Sequence, residues 1–193
     1  MQQFNGYNEA KEQAKYSGGG RLPAGAYACK IIGVKLTPAN GDKSGFITIQ
    51  FDITDGEYKD FFQKQFKENT RDDKKYKGKT TIYLPKDDGS ERDGWTKNNF
   101  AKWTNALEES NKGYTWDWDE SKWKDKKIGI VFGETGTRIE GKDIVYTEAR
   151  FPIAVDKIAD APAAKFKAKG DYGKDTNDGF ITVPDDAPDE LPF

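Results

Sequence analysis

From residue 26 to residue 36 the side chains alternate between apolar and polar. Tyr27, Cys29 and Ile31 share one face, and beyond Gly33 the apolar parity moves to Val34 and Leu36. Alternation with a period of two marks a half-buried strand, and a parity slip at a glycine marks a bulge. After a turn over 38–45, residues 46–53 alternate again. Ile47, Ile49, Phe51 and Ile53 form a core face, while Thr48, Gln50 and Asp52 form a polar face on which Phe46 is anomalous. Asp55-Gly56 is a hairpin signal, and residues 58–66 read as a third strand, although Phe61-Phe62-Gln63-Lys64-Gln65-Phe66 keeps no clean period of two. A polar excursion over 67–93 contains a short strand candidate at 80–84. Phe100, Trp103 and Leu107, at i, i+3 and i+7, then predict an amphipathic helix over 96–109, with Gly113 just past its end. Residues 127–132 and 143–155 read as two further strands.

Three strands, a helix-bearing excursion and two strands make a mainly β chain. The expected fold is an OB-fold-like five-stranded antiparallel barrel with one helix between strands three and four. A bulged first strand suits it, because that strand must bend to serve both halves of a barrel. The alternative is another small antiparallel sheet carrying a helix. Three segments are expected: a flexible N-terminal stretch 1–21 containing Gly18-Gly19-Gly20, the domain 22–158, and a flexible acidic tail 159–193 rich in Ala, Lys, Asp and Gly. The glycine run is no phosphate loop, since no Gly-Lys-Ser/Thr follows it.

Composition narrows the chemistry. The 193-residue chain has no His and a single cysteine, Cys29, which excludes an internal disulfide framework, Cys/His zinc sites and His-based acid–base catalysis. Neither a catalytic constellation nor a cofactor site is expected. Asp117-x-Asp119 lacks the Gly and Glu that a calcium loop needs at the positions held by Lys122 and Ile128. No apolar stretch is long enough to span a membrane and no secretion signal opens the chain, so a cytoplasmic location, in a bacterial host cell, is expected. Net charge is −2, but residues from 175 onward carry six acids and no base, which leaves 31 basic and 27 acidic residues, or +4, in 1–174. A basic body with an acidic tail suits a nucleic-acid binder whose tail competes with phosphate. Five Trp and nine Tyr are many for a chain only 35% hydrophobic, so some must lie near the surface.

The last ten residues read Pro-Asp-Asp-Ala-Pro-Asp-Glu-Leu-Pro-Phe. This resembles the acidic C-terminal tip of bacterial and phage single-stranded-DNA-binding proteins of the SSB type, a peptide that docks replication and repair enzymes. The resemblance implies partner binding through Asp185, Asp186, Asp189, Glu190, Leu191, Pro192 and Phe193. Phe193 would be the apolar anchor and the acids would meet a basic rim. The body is similar to small proteins encoded near replication genes in phages and prophages of Gram-positive bacteria. Leu22-Pro23-Ala24-Gly25-Ala26-Tyr27, Thr54-Asp55-Gly56-Glu57-Tyr58-Lys59, Gly113-Tyr114-Thr115-Trp116-Asp117-Trp118-Asp119-Glu120 and Ile128-Gly129-Ile130-Val131-Phe132-Gly133-Glu134 carry that likeness. It implies an OB-fold that coats single-stranded DNA in phage replication or recombination.

Such binding needs aromatic faces for bases and cations for phosphates. The candidates are Phe46 on strand two, Phe61 and Phe62 on the expected strand three, and the surrounding Lys59, Lys64 and Lys67. Lys74, Lys75, Lys77 and Lys79 flank Tyr76 in the following loop, with Arg71 just upstream, as a possible clamp. Each has a plainer role: the aromatics can pack as core, and the charge run can be a solvated loop. Trp116 and Trp118, set among carboxylates that repel phosphate, are expected to be structural anchors. Two other functions stay open, a protein-interaction adaptor that binds no nucleic acid and a sugar-binding module.

Overall fold

The computed structural model describes residues 20–41, 43–139 and 142–168, with the side chains of 137–144 left out of account. The expectations for the N-terminal stretch up to residue 19 and for the acidic tip lie outside the described residues. Strand β1 (Gly25–Thr37) pairs antiparallel with β2 (Phe46–Ile53) on one side and β4 (Lys127–Ile139) on the other. β3 (Lys79–Tyr83) borders β2, and β5 (Lys142–Ile153) borders β4. The resulting order β3-β2-β1-β4-β5 is an open, curled half-barrel whose two outer strands are not paired to each other.

Register explains the alternating sequence. Cys29 lies opposite Ile53 and Ile31 opposite Phe51. The pairing then slips between Ile31 and Gly33, after which Val34 faces Ile49 and Leu36 faces Ile47. One extra residue therefore brings Val34 back against the core after the parity change, as the sequence pattern predicts, while Leu36 near the strand end is 41% exposed. The core face is dry: Cys29, Ile31, Ile47, Ile49, Phe51, Ile53 and Ile82 are all buried. Helix α2 (Glu91–Ser110) covers it with Phe100, Trp103 and Leu107. That helix begins at Glu91, five residues before the start its apolar stripe predicts. Ser90 caps it by accepting from the Asp93 amide at 3.2 Å, and Glu91 and Asp93 sit in its first turn, near the positive end of the helix dipole. At its other end Asn111 bridges helix to sheet. Its amide donates to Leu107 O and Lys127 O and accepts from the Lys127 N–H.

Two expectations are overturned. Residues 58–66 do not form strand three, because Phe61–Glu68 is a helix, α1. Phe62 and Phe66 lie four apart and share a face of a helix, whereas in a strand the adjacent Phe61 and Phe62 would point to opposite sides. The third strand is the short segment inside the polar excursion. The sheet also has six strands among the described residues rather than five. β6 (Lys167–Ala168) pairs parallel with β4 at Thr135 and Gly136, so the chain after residue 158 returns to the sheet. Gly136 makes this possible, since a Cβ there would sit 2.4 Å from the Phe166 ring.

The joint between α1 and the sheet is Asp52. Its carboxylate accepts from the amides of Phe62 (3.1 Å) and Gln63 (2.9 Å), from the Tyr76 hydroxyl (3.1 Å) and from its neighbour Ile53 (2.9 Å). The first two are amides that a helix cap normally serves, and here the cap comes from another element because Asp60 makes no side-chain cap bond. Replacing Asp52 with Ala strands these donors and is expected to cost about 2–3 kcal/mol in urea unfolding. Burial, only partly offset by these bonds, holds the Asp52 carboxyl above its ordinary value of 3.8. The folded state therefore binds this proton more tightly than the unfolded chain. Its contribution to stability is full below pH 3.8 and declines as pH rises through the folded value. Removing Asp52 should subtract that declining component from the acid limb of the stability profile.

Candidate nucleic-acid interface

The loop after α1 is pinned rather than solvated at its centre. The Tyr76 hydroxyl donates to Phe51 O and to the Asp52 carboxylate, both at 3.1 Å. Its ring lies 6.5 Å from that of Phe62 and 6.0 Å from that of Phe66. Gly78 completes the contact, because a Cβ there would meet Phe51 O at 2.4 Å and the Phe62 ring at 2.8 Å. No other residue lets the backbone pass so close. Arg71, Lys74, Lys75 and Lys77 therefore stand exposed around a buried anchor, with the Lys74 ammonium 4.8 Å from the centre of the Phe66 ring.

Beside this loop, at the unpaired seam between β3 and β5, lies a cleft of about 480 Å³. Its floor is apolar, with Phe51, Phe62 and Phe132 all buried. Phe61 and Gln65 of α1 form one wall, Val145 to Thr147 of β5 the other, and Arg21, Lys77 and Lys79 bring cations to it. The one carboxylate in the lining, Glu148, is engaged. It pairs with the buried Arg150 guanidinium at 2.8 Å and accepts from Thr135 at 2.8 Å. Arg21 is likewise paired with Glu134 at 2.6 Å.

The residues expected to contact a strand divide into three groups. Phe61, Lys64, Lys67, Arg71, Lys74, Lys75 and Lys77 gather on α1 and its loop, with Lys59 just ahead of the helix. Within that group the Lys64 ammonium donates to Lys59 O at 2.8 Å and the Lys67 ammonium reaches Gln63 at 3.5 Å. Phe62 and Tyr76 are corrected: both are core residues, 6% and 7% exposed, and offer no stacking face. Their burial follows from the helix, which turns Phe62 inward, and from the hydroxyl anchor of Tyr76. Phe46 stands apart, half-buried against Tyr83 at 6.0 Å near the opposite end of β2, about 20 Å along the strand from Asp52. Lys79, expected in the clamp loop, lines the cleft, as do Gln65 and Tyr146, which the sequence reading did not single out. Lys79 was legible in the lysine run, whereas nothing in the sequence marks Tyr146.

The two tryptophans expected to be anchors behave differently. Trp116 packs against the core, 5.1 Å from the buried Trp123 ring. Trp118 is 81% exposed, lies parallel to Phe100 at 6.5 Å, and holds a left-handed φ of 68° that a bulky residue rarely adopts. Lys122 fixes this loop by pairing with Asp117 and Asp119. Cys29 is buried as expected, and burial raises its thiol well above the ordinary value, which leaves it unreactive.

No protein-family model matches the chain, and no curated protein matches it significantly. Among the described residues no helix is long and apolar enough to cross a membrane, and no three His, Cys, Asp or Glu side chains gather as metal ligands.

Alanine at Phe62 should cost about 3–5 kcal/mol, as for other buried Phe, while alanine at the half-buried Phe61 should cost about 1–2 kcal/mol. Trp118→Gly removes a ring contact but relieves the left-handed backbone, so stability should stay within about 1 kcal/mol of the parent. Urea titrations of the three variants check both expectations.

Proposed function

We propose that this chain binds single-stranded DNA without strong sequence preference, in phage replication or recombination, and recruits partner enzymes through its C-terminal tip. The observation that carries the reading is the coincidence at one seam of an aromatic-floored cleft and a lysine-rich loop with a buried anchor. The strand order β3-β2-β1-β4-β5, with α2 between β3 and β4, supports reading the fold as an OB-fold opened between its third and fifth strands. Such a barrel offers a single strand a surface next to β2 and β3, where α1 and the loop lie. The bulk of the binding energy would come from lysines tracking phosphates, with aromatic stacking of ~1–3 kcal/mol per base. The acidic tip would dock a basic, apolar pocket on a replication enzyme and compete weakly with DNA.

A second reading, a protein-interaction adaptor that binds no nucleic acid, has Trp118 in its favour, an exposed indole set between carboxylates paired to Lys122. Quenching of tryptophan emission by oligo-dT separates the two. Under the first reading, a site of about four phosphates gives a log K against log salt slope of about −3, from ~−0.7 per phosphate. Duplex of equal length binds far more weakly, since its bases cannot reach the rings. Changing Lys74, Lys75 and Lys77 together to Gln should reduce the magnitude of that slope by about 2. No response to any oligonucleotide at low salt would leave the adaptor reading.

A further inference from the structure

Resting on that reading, we propose that the cleft between α1 and β5 takes a single nucleotide of the bound strand, its base against the half-buried Phe61 and Tyr146 with one edge at the Gln65 amide and its phosphate at Lys77. Size and shape come first. About 480 Å³ lies within the ~300–1,000 Å³ range of small-molecule sites, and a cleft this small admits one nucleotide, not a stack of several. Phe61 on the α1 wall and Tyr146 on the β5 wall are half-buried and give a planar aromatic ligand rings to pack against, above a floor of buried Phe side chains.

The polar lining is more specific. Arg21 is paired with Glu134, Glu148 with Arg150, and the Thr147 hydroxyl donates to Leu22 O at 2.5 Å. By contrast, the Gln65 side-chain amide and the Lys77 ammonium make no side-chain hydrogen bond or ion pair among the described residues, although both line the cleft. An amide offers one acceptor and two donors, the complement of the hydrogen-bonding edge of a base. An ammonium at the mouth seeks an anion. A ligand that is planar, carries a donor–acceptor edge and bears an anionic group is a nucleotide. A neutral sugar lacks the anion, and a hydrophobic tail uses neither polar group. Because β3 and β5 are unpaired here, the cleft opens along the seam and a strand can lie across it with one base inserted.

Abasic substitution tests this on the intact chain. Short dT oligonucleotides, each with one abasic residue at a successive position, are titrated by tryptophan fluorescence. One interior position should weaken binding by tenfold or more, the scale of one lost stacked base, and the others by much less. Gln65→Ala should leave the melting temperature unchanged and level the affinities for dT, dC and dA oligomers. Gln65→Glu, which exchanges donors for acceptors in the same shape, should reorder them, and Lys77→Gln should weaken all three alike. If the intact chain binds oligonucleotides but the abasic scan is flat and both Gln65 variants keep the parent ranking, the one-nucleotide cleft is wrong while strand binding stands. If no oligonucleotide binds at all, the reading beneath it falls as well.

Discussion

A buried carboxylate at the end of β2 holds the candidate interface together. Asp52 belongs to the polar face of its strand and, like Gln50 on the same face, is buried, only 7% exposed. It joins three elements, because the first turn of α1, the Tyr76 hydroxyl and its own strand all donate to it. Burying a carboxylate costs free energy, as its raised titration reflects, and the cost is tolerated because four hydrogen bonds meet it. Without that joint α1 would lose its cap and the lysine loop its anchor. The cleft would then lose the wall carrying Phe61 and Gln65 and the close passage at Gly78 that places Lys77 and Lys79 beside the Phe62 ring.

The second constraint is the slip in β1. One strand must pair with β2 along one half and β4 along the other, and both halves must keep apolar side chains on the same concave face. The extra residue between Ile31 and Gly33 does both, because it bends the strand and corrects its parity. The sheet curls far enough to enclose a single core shared by β3 at one end and β5 at the other, but not far enough to close. A cleft is the direct result, since the unpaired seam leaves Phe61 and Tyr146 half-buried above the buried Phe51, Phe62 and Phe132.

The 114–123 segment carries a different balance of forces. Trp116 and Trp123 bury against α2, and Phe100 extends that cluster to the surface. Trp118 then continues it into water on a left-handed backbone, with Lys122 bridging the carboxylates on either side. An exposed ring and a left-handed bulky residue are both locally unfavourable. Their combination sits in a loop otherwise held by ion pairs, whose contacts tolerate this local cost.

The sequence by itself determined the strands whose side chains alternate, the bulge at Gly33, the face of α2 and the burial of Cys29. In each case a periodic pattern reports which side of an element faces the core, and local geometry alone sets that period. It also located the lysine run that now flanks the cleft. What it could not determine was the state of residues 61–68, because Phe61-Phe62-Gln63-Lys64-Gln65-Phe66 fits neither period cleanly and the cap that selects a helix sits on another element, at Asp52. The inward turn of Phe62 and Tyr76, the apposition of Tyr146 to Phe61 and the return of Lys167 to β4 were likewise decided only by tertiary structure. Each depends on residues far apart in the chain meeting across the seam, and neither period nor composition encodes such a meeting.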